Sequence, residues 1–285
     1  MWHGPAVRRR KLGEELRRLR CAAALTSGEV AGHLGWHQSK VSRIETGRSG
    51  VKPADVARLL EVYGVDDPGL RALLEALAGA ADGRGGQWWQ AYRGLLPPQY
   101  RDFISLESQA SAARTLETSV VPGLLQTPEY ARAVTRAALG GLDAARVDSL
   151  VEVRLARQAV LRADPPLELS AVVDEAALHR EVGGAAAMRR QLDHLLAAAQ
   201  LPHVRLRVLP FSCGGHIGLT GPFIIFSFPH ISDLDVVVID HLTSSLYLER
   251  REDLEAYSAA FHMAEAQALS FKESLNLIAG MTHGV

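Results

Sequence analysis

Residues 25–47 constrain this chain more than any other stretch, because they spell two short helices around a tight turn. Val30, Ala31 and Leu34 fall at i, i+1 and i+4, one buried face of a first helix that Gly35 ends. Thr26 ahead of it, with Glu29 three residues on, has the pattern of a capping box. Val41 and Ile44, at i and i+3, give a second helix its inward face. The remaining positions of that helix, Gln38, Ser39, Lys40, Ser42 and Arg43, can all donate hydrogen bonds, and none is acidic. A short helix with an apolar underside and a donor-rich outer face suits a groove lined with acceptors and phosphates. Trp36 reads as a packing residue in the turn.

The charge distribution points the same way. The chain as a whole has a net charge of −1, with 31 Lys and Arg against 32 Asp and Glu. Residues 1–52, however, hold 11 basic and four acidic side chains, and the remainder holds 20 against 28. A basic head on an acidic body is the asymmetry expected of a polyanion-binding module attached to something that does not bind polyanions. Two cysteines far apart, Cys21 and Cys213, give no disulfide framework and no cysteine-based zinc site. No apolar run approaches a membrane span and no apolar signal core opens the chain, so we expect a cytoplasmic location.

The 285 residues allow one large domain or two modest ones. We expect a mainly α N-terminal DNA-binding domain over residues 1–78 and a larger α+β domain over 87–285. Residues 1–11 form a basic arm. Helices follow at about 12–24 (Leu12, Leu16 and Leu19 inward), from Pro53 to the stop at Gly64, and at about 67–78. The Gly-rich residues 79–86 are a linker, and the aromatic stretch from Trp88 to Phe103 opens the second domain. There, helices are expected at about 127–139, 146–163, 184–200 and 250–269, with a C-terminal helix carrying Lys272. Strands are expected at about 112–119, 167–173, 203–209, 222–228, 234–240 and 245–249.

The ordered set Leu25-Thr26, Glu29, Ala31, Leu34-Gly35, Gln38 through Glu45 and Gly47 resembles the helix-turn-helix of Xre-type regulators, the lambda-repressor-like group. That resemblance implies a five-helix domain that binds double-stranded operator DNA as a homodimer, with half-sites about 34 Å apart. It implies base reading by Gln38, Ser39 and Arg43, with Lys40 and Ser42 on bases or phosphates. Ser27, His37, Thr46, Arg48 and Lys52 would then hold the DNA backbone, and Arg20 and Glu45 would form a structural pair. Two positions depart from the family pattern. Ser27 stands where glutamine is frequent, and His37 stands where Ser or Thr commonly caps the recognition helix.

A second resemblance covers nearly all of residues 87–280. Residues 121–131, Asp174-Glu175-Ala176-Ala177-Leu178, Val208-Leu209-Pro210-Phe211 and Gly221-Pro222-Phe223 resemble an uncharacterised domain that follows an Xre helix-turn-helix in a large group of actinobacterial regulators. In that group a very small partner protein is often encoded alongside, in pairs described as toxin–antitoxin-like. The resemblance supplies no catalytic or ligand residue.

The residues themselves show little chemistry. There is no phosphate-binding loop, no nucleophile elbow and no zinc-protease helix motif, and the only lysine after residue 52 is Lys272. Asp174, Glu175 and His179 place a carboxylate and an imidazole one helical turn apart, which fits either a metal pair or an acidic helix start. Cys213 and His216 sit in the Gly-rich stretch 211–221, either a small-molecule site or a simple connection. We therefore expect no enzyme, no cofactor and no metal. The expected function is a sequence-specific, dimeric transcriptional regulator whose C-terminal domain binds a small partner protein. The alternative is a C-terminal small-molecule sensor controlling DNA binding.

Overall fold

The computed structural model describes residues 4–78, 88–92, 94–228, 235–241 and 244–284. The expected linker 79–86 lies outside the described residues. The packing divides the chain into two units, and each is described separately.

The first unit is helical. Helix α1 (Gly4–Ala22) is followed by α2 (Ser27–Leu34), α3 (Gln38–Glu45), α4 (Pro53–Val62) and α5 (Pro68–Ala78). Leu12, Leu16, Val30, Val41, Ile44, Val56, Leu59, Leu60 and Leu74 are almost fully buried, so each amphipathic stripe has found a partner. Gly13 lets α1 come down on the end of α3, because a Cβ there would lie 2.6 Å from the Glu45 carbonyl oxygen. One expectation needs correction. Residues 4–11 are the start of α1 rather than a separate arm, since Pro5 sits in the first turn and a run of helix-forming Arg and Lys follows it.

Helix α6 (Pro98–Gln109) packs against α1 and groups with the first unit, together with residues 88–91. Helix α6 buries Phe103, Ile104 and Leu106, each at 5% exposure or less.

In the second unit, six strands among the described residues form one mixed sheet. They are β1 (Ala112–Glu117), β2 (Glu168–Asp174), β3 (Val204–Leu209), β4 (Phe223–Ser227), β5 (Val236–Asp240) and β6 (Ser245–Leu248), in the order β3-β2-β1-β4-β5-β6. Strands β1, β2 and β3 are parallel, while β4, β5 and β6 run antiparallel to their neighbours. Parallel neighbours need crossovers. Helices α7 (Pro128–Ala138) and α8 (Ala144–Arg157) join β1 to β2, and α9 (Glu175–His179) and α10 (Ala185–Ala198) join β2 to β3. Helix α11 (Arg251–Gln267) buries Phe261 and Ala264 against Leu116, Val172, Leu209, Phe223, Ile225 and Val237 of the sheet. Helix α12 (Phe271–Gly284) runs beside β3, where the Val208 N–H donates to Ser274 Oγ at 3.0 Å. The architecture is a helical domain followed by an α+β domain. No described helix is long and apolar enough to cross a membrane.

Candidate nucleic-acid interface

The geometry of the site begins with the cap of α2. Thr26 Oγ1 accepts from the Glu29 N–H at 3.2 Å, and Glu29 Oε2 accepts from the Thr26 N–H at 2.8 Å. This reciprocal cap satisfies two helix-end donors, and those bonds hold the Glu29 carboxyl below its ordinary pKa. Gly35 then takes a left-handed conformation at φ 66°, which ends α2 and turns the chain into α3.

Helix α3 is clamped from beneath. Arg20 donates from Nε to Glu45 Oε1 at 2.7 Å and from Nη2 to Oε2 at 2.9 Å, while Nη1 donates to the Leu25 carbonyl at 2.6 Å. The fork ties α1 to the last residue of α3 and to the turn before α2. Its bonds to Glu45 raise the Arg20 pKa further. Burial, with the Glu45 charge nearby, raises the Tyr63 phenol, whose hydroxyl is buried without a hydrogen-bond partner among the described residues.

With Val41 and Ile44 turned inward, Gln38, Ser39, Ser42 and Arg43 are left exposed as one outward stripe. Among the described residues, the Ser39 and Ser42 hydroxyls and the Arg43 guanidinium bond to no other side chain. Gln38 donates to Ser27 Oγ at 3.2 Å, which joins the first turns of α3 and α2. Lys40 stands apart from this stripe. Its Nζ lies 3.0 Å from Asp55 Oδ2 on α4 and 3.6 Å from the centre of the Trp36 ring. Lys40, expected on bases or phosphates, thus has its ammonium engaged by Asp55 and Trp36 in this structure.

The expected backbone-contacting residues are spread around the ends of α3. His37 is exposed at the N-cap and makes no capping bond. Thr46 spends its hydroxyl on the Ser42 carbonyl at 2.8 Å. Arg48 and Lys52 are exposed in the loop that follows, which folds back so that the Arg48 and Ser49 N–H groups both donate to the Arg43 carbonyl.

In the second unit, the residues singled out by sequence bond to each other. Asp174 caps α9, accepting from the Ala176 N–H at 2.8 Å, and its other oxygen lies 3.0 Å from His216 Nε2. The other ring nitrogen of His216 accepts from the Gly218 N–H, so Nε2 is the nitrogen that donates to Asp174. Glu175 contacts His179 at 3.1 Å and accepts from the Phe211 N–H at 2.7 Å. These bonds fasten the 211–221 connection over the carboxyl ends of β1 and β2. Among the described residues, no group of three or more His, Cys, Asp or Glu is placed to hold a metal ion.

Two residues of this unit escaped the sequence reading. Glu117, at the end of β1, is pushed up to about 7 by burial, even though Thr115 Oγ1 donates to it at 3.2 Å. Gln191 of α10 accepts from the Thr127 N–H at 2.7 Å and donates to the Leu125 carbonyl at 2.6 Å. An amide among the apolar positions Met188, Leu192 and Leu195 was the one available signal for it.

The outward stripe on α3 and the clamp beneath it define the first unit as a helix-turn-helix module, and residues 11–74 match a helix-turn-helix domain family. Residues 100–280, more than half of the chain, match the domain of unknown function DUF5753. The chain belongs to that family. No curated protein and no solved structure matches it.

Proposed function

We propose that this chain is a sequence-specific transcriptional regulator of the Xre type, binding operator DNA as a homodimer. The observation that carries the reading is the outward stripe of Gln38, Ser39, Ser42 and Arg43. It is donor-rich and free of acid, and its side chains contribute nothing to the core of the unit. Gln38, Ser39 and Arg43 read base edges, and Arg48, Lys52 and His37 hold phosphates. The second unit is a non-catalytic interaction domain for a small partner protein. It lacks the basic excess of residues 1–52, which suits a role away from DNA, and at the carboxyl end of β2 Asp174 pairs with His216 and Glu175 with His179.

The test is selection of bound duplexes from a random pool, followed by affinity measurement across salt. A preferred inverted repeat, with affinity falling steeply between about 50 and 200 mM salt, is expected. A flat salt response or no enriched sequence overturns the reading. Purification of the chain from its own cells tests the partner, and co-purification of a stoichiometric small protein, sized by light scattering, is the expected result.

A further inference from the structure

A groove of about 550 Å³ opens in the second unit where the end of α10, the start of β3 and the start of α12 meet. Ala199, Leu201, Pro202, Val204 and Phe271 give it apolar walls, and Arg205 and Arg207 give it two cations. Among the described residues, no Asp or Glu lines it. The two arginines are i and i+2 on β3, so they project from the same face of the strand, about 7 Å apart along it. Arg207 has one nitrogen committed to the Glu265 carbonyl at 3.1 Å, while the Arg205 side chain is exposed and bonds to nothing among the described residues. Phe271 keeps 39% of its surface exposed.

We infer that this groove is a binding site for a small amphipathic anion, a carboxylate or phosphate carried on an apolar body. The volume lies within the range of small-ligand pockets. The two guanidiniums supply paired donors for one anionic head, and Phe271 with Leu201 and Pro202 covers the apolar body. Charge selects the ligand class, because a cation or a neutral apolar molecule leaves two arginines in the groove without a counterion. A second copy of the chain does not fit, since it would bring the same arginines into opposition.

Isothermal calorimetry on the full chain without DNA tests the site, using octanoate, octyl phosphate, octanamide, octylamine and inorganic phosphate as probes. Octanoate or octyl phosphate binds, whichever head the groove prefers, and octanamide and octylamine bind at least about tenfold more weakly. Arg205→Gln and the double variant R205Q/R207Q each reduce that affinity, the double variant by at least about tenfold. Phe271→Ala reduces it for the octyl probes only. Since Arg207 also holds Glu265, the single Arg205 variant keeps the test sound should the double variant fold poorly. The site is overturned if neither octyl anion binds, if both arginine variants bind as the native chain does, or if inorganic phosphate binds as tightly as the octyl anions. DNA affinity plays no part in these readouts, so their failure leaves the DNA-binding proposal standing.

Discussion

Helix α3 of the first unit and residues 121–131 of the second are both rich in polar side chains, and they turn them in opposite directions. On α3, Gln38, Ser39, Ser42 and Arg43 face solvent. In the second stretch, Gln126 Nε2 donates to the Val121 carbonyl at 2.7 Å, the Tyr130 hydroxyl accepts from the Val121 N–H at 3.1 Å, and Thr127 caps α7. Arg154 and Gln158 of the crossover reach back to the same glutamine, and Gln191 closes the network from α10. Polar groups facing inward answer buried backbone and hold the fold. Polar groups facing outward, with no more than Gln38's single bond to Ser27 among them, are free to meet another molecule. Gln126, Thr127 and Tyr130 of this stretch therefore hold the fold.

The largest expected effect tests the inward half of this contrast. Gln191→Leu keeps the volume but leaves the buried Thr127 N–H and Leu125 carbonyl without partners, at a cost of about 2–5 kcal/mol. Urea unfolding of the variant measures it. A loss below about 1 kcal/mol would show that the network is dispensable.

Glu117 comes next, as a charge facing inward. Its folded pKa of about 7 stands above the ordinary 4.5, so the native state takes up its proton first. Stability on this account is fullest at low pH, falls as pH rises from about 4.5 to 7, and is level beyond. Glu117→Gln removes that slope and adds up to about 3 kcal/mol at pH 8. Urea midpoints that respond to pH alike in both proteins would contradict it.

The contrast also explains what the sequence made legible. The strands of the second unit were readable as short runs of Val, Ile, Leu and Phe between turn residues, because each strand's signal is local. The parallel pairing of β1, β2 and β3 was not, since a ladder depends on which strand arrives next to which. Helix α6 was missed because Pro97 and Pro98 and the aromatic residues read as irregular chain, while buried Asp102 and Glu107 interrupt its apolar stripe. The outward face of α3 was readable by subtraction, once Val41 and Ile44 were assigned to the core. The Asp174–His216 contact and the inward role of Gln191 join residues dozens of positions apart, and no spacing rule reaches that far.

The outward half is tested by Arg43→Ala. It should weaken specific DNA binding by roughly 1–3 kcal/mol and relax preference at one base pair. Thermal stability should hardly move, because the guanidinium supports no other side chain among the described residues. Affinity and sequence preference equal to those of the native protein would remove Arg43 from the reading stripe.

Lys40 gives the smallest expected effect and the sharpest distinction, because it lies on α3 yet faces the protein. Its side chain is 38% exposed, with the ammonium bonded to Asp55 and seated over Trp36. A partly exposed pair of this kind contributes less than about 1 kcal/mol to stability. Lys40→Ala should therefore cost little stability, leave sequence preference intact and barely change the salt slope. Asp55→Asn should do the reverse. Freed from its carboxylate, Lys40 gains access to a phosphate, and the slope of log affinity against log salt should steepen by about 1. If Lys40→Ala instead relaxes specificity as Arg43→Ala does, the Asp55 contact gives way on DNA and Lys40 belongs with the outward stripe after all.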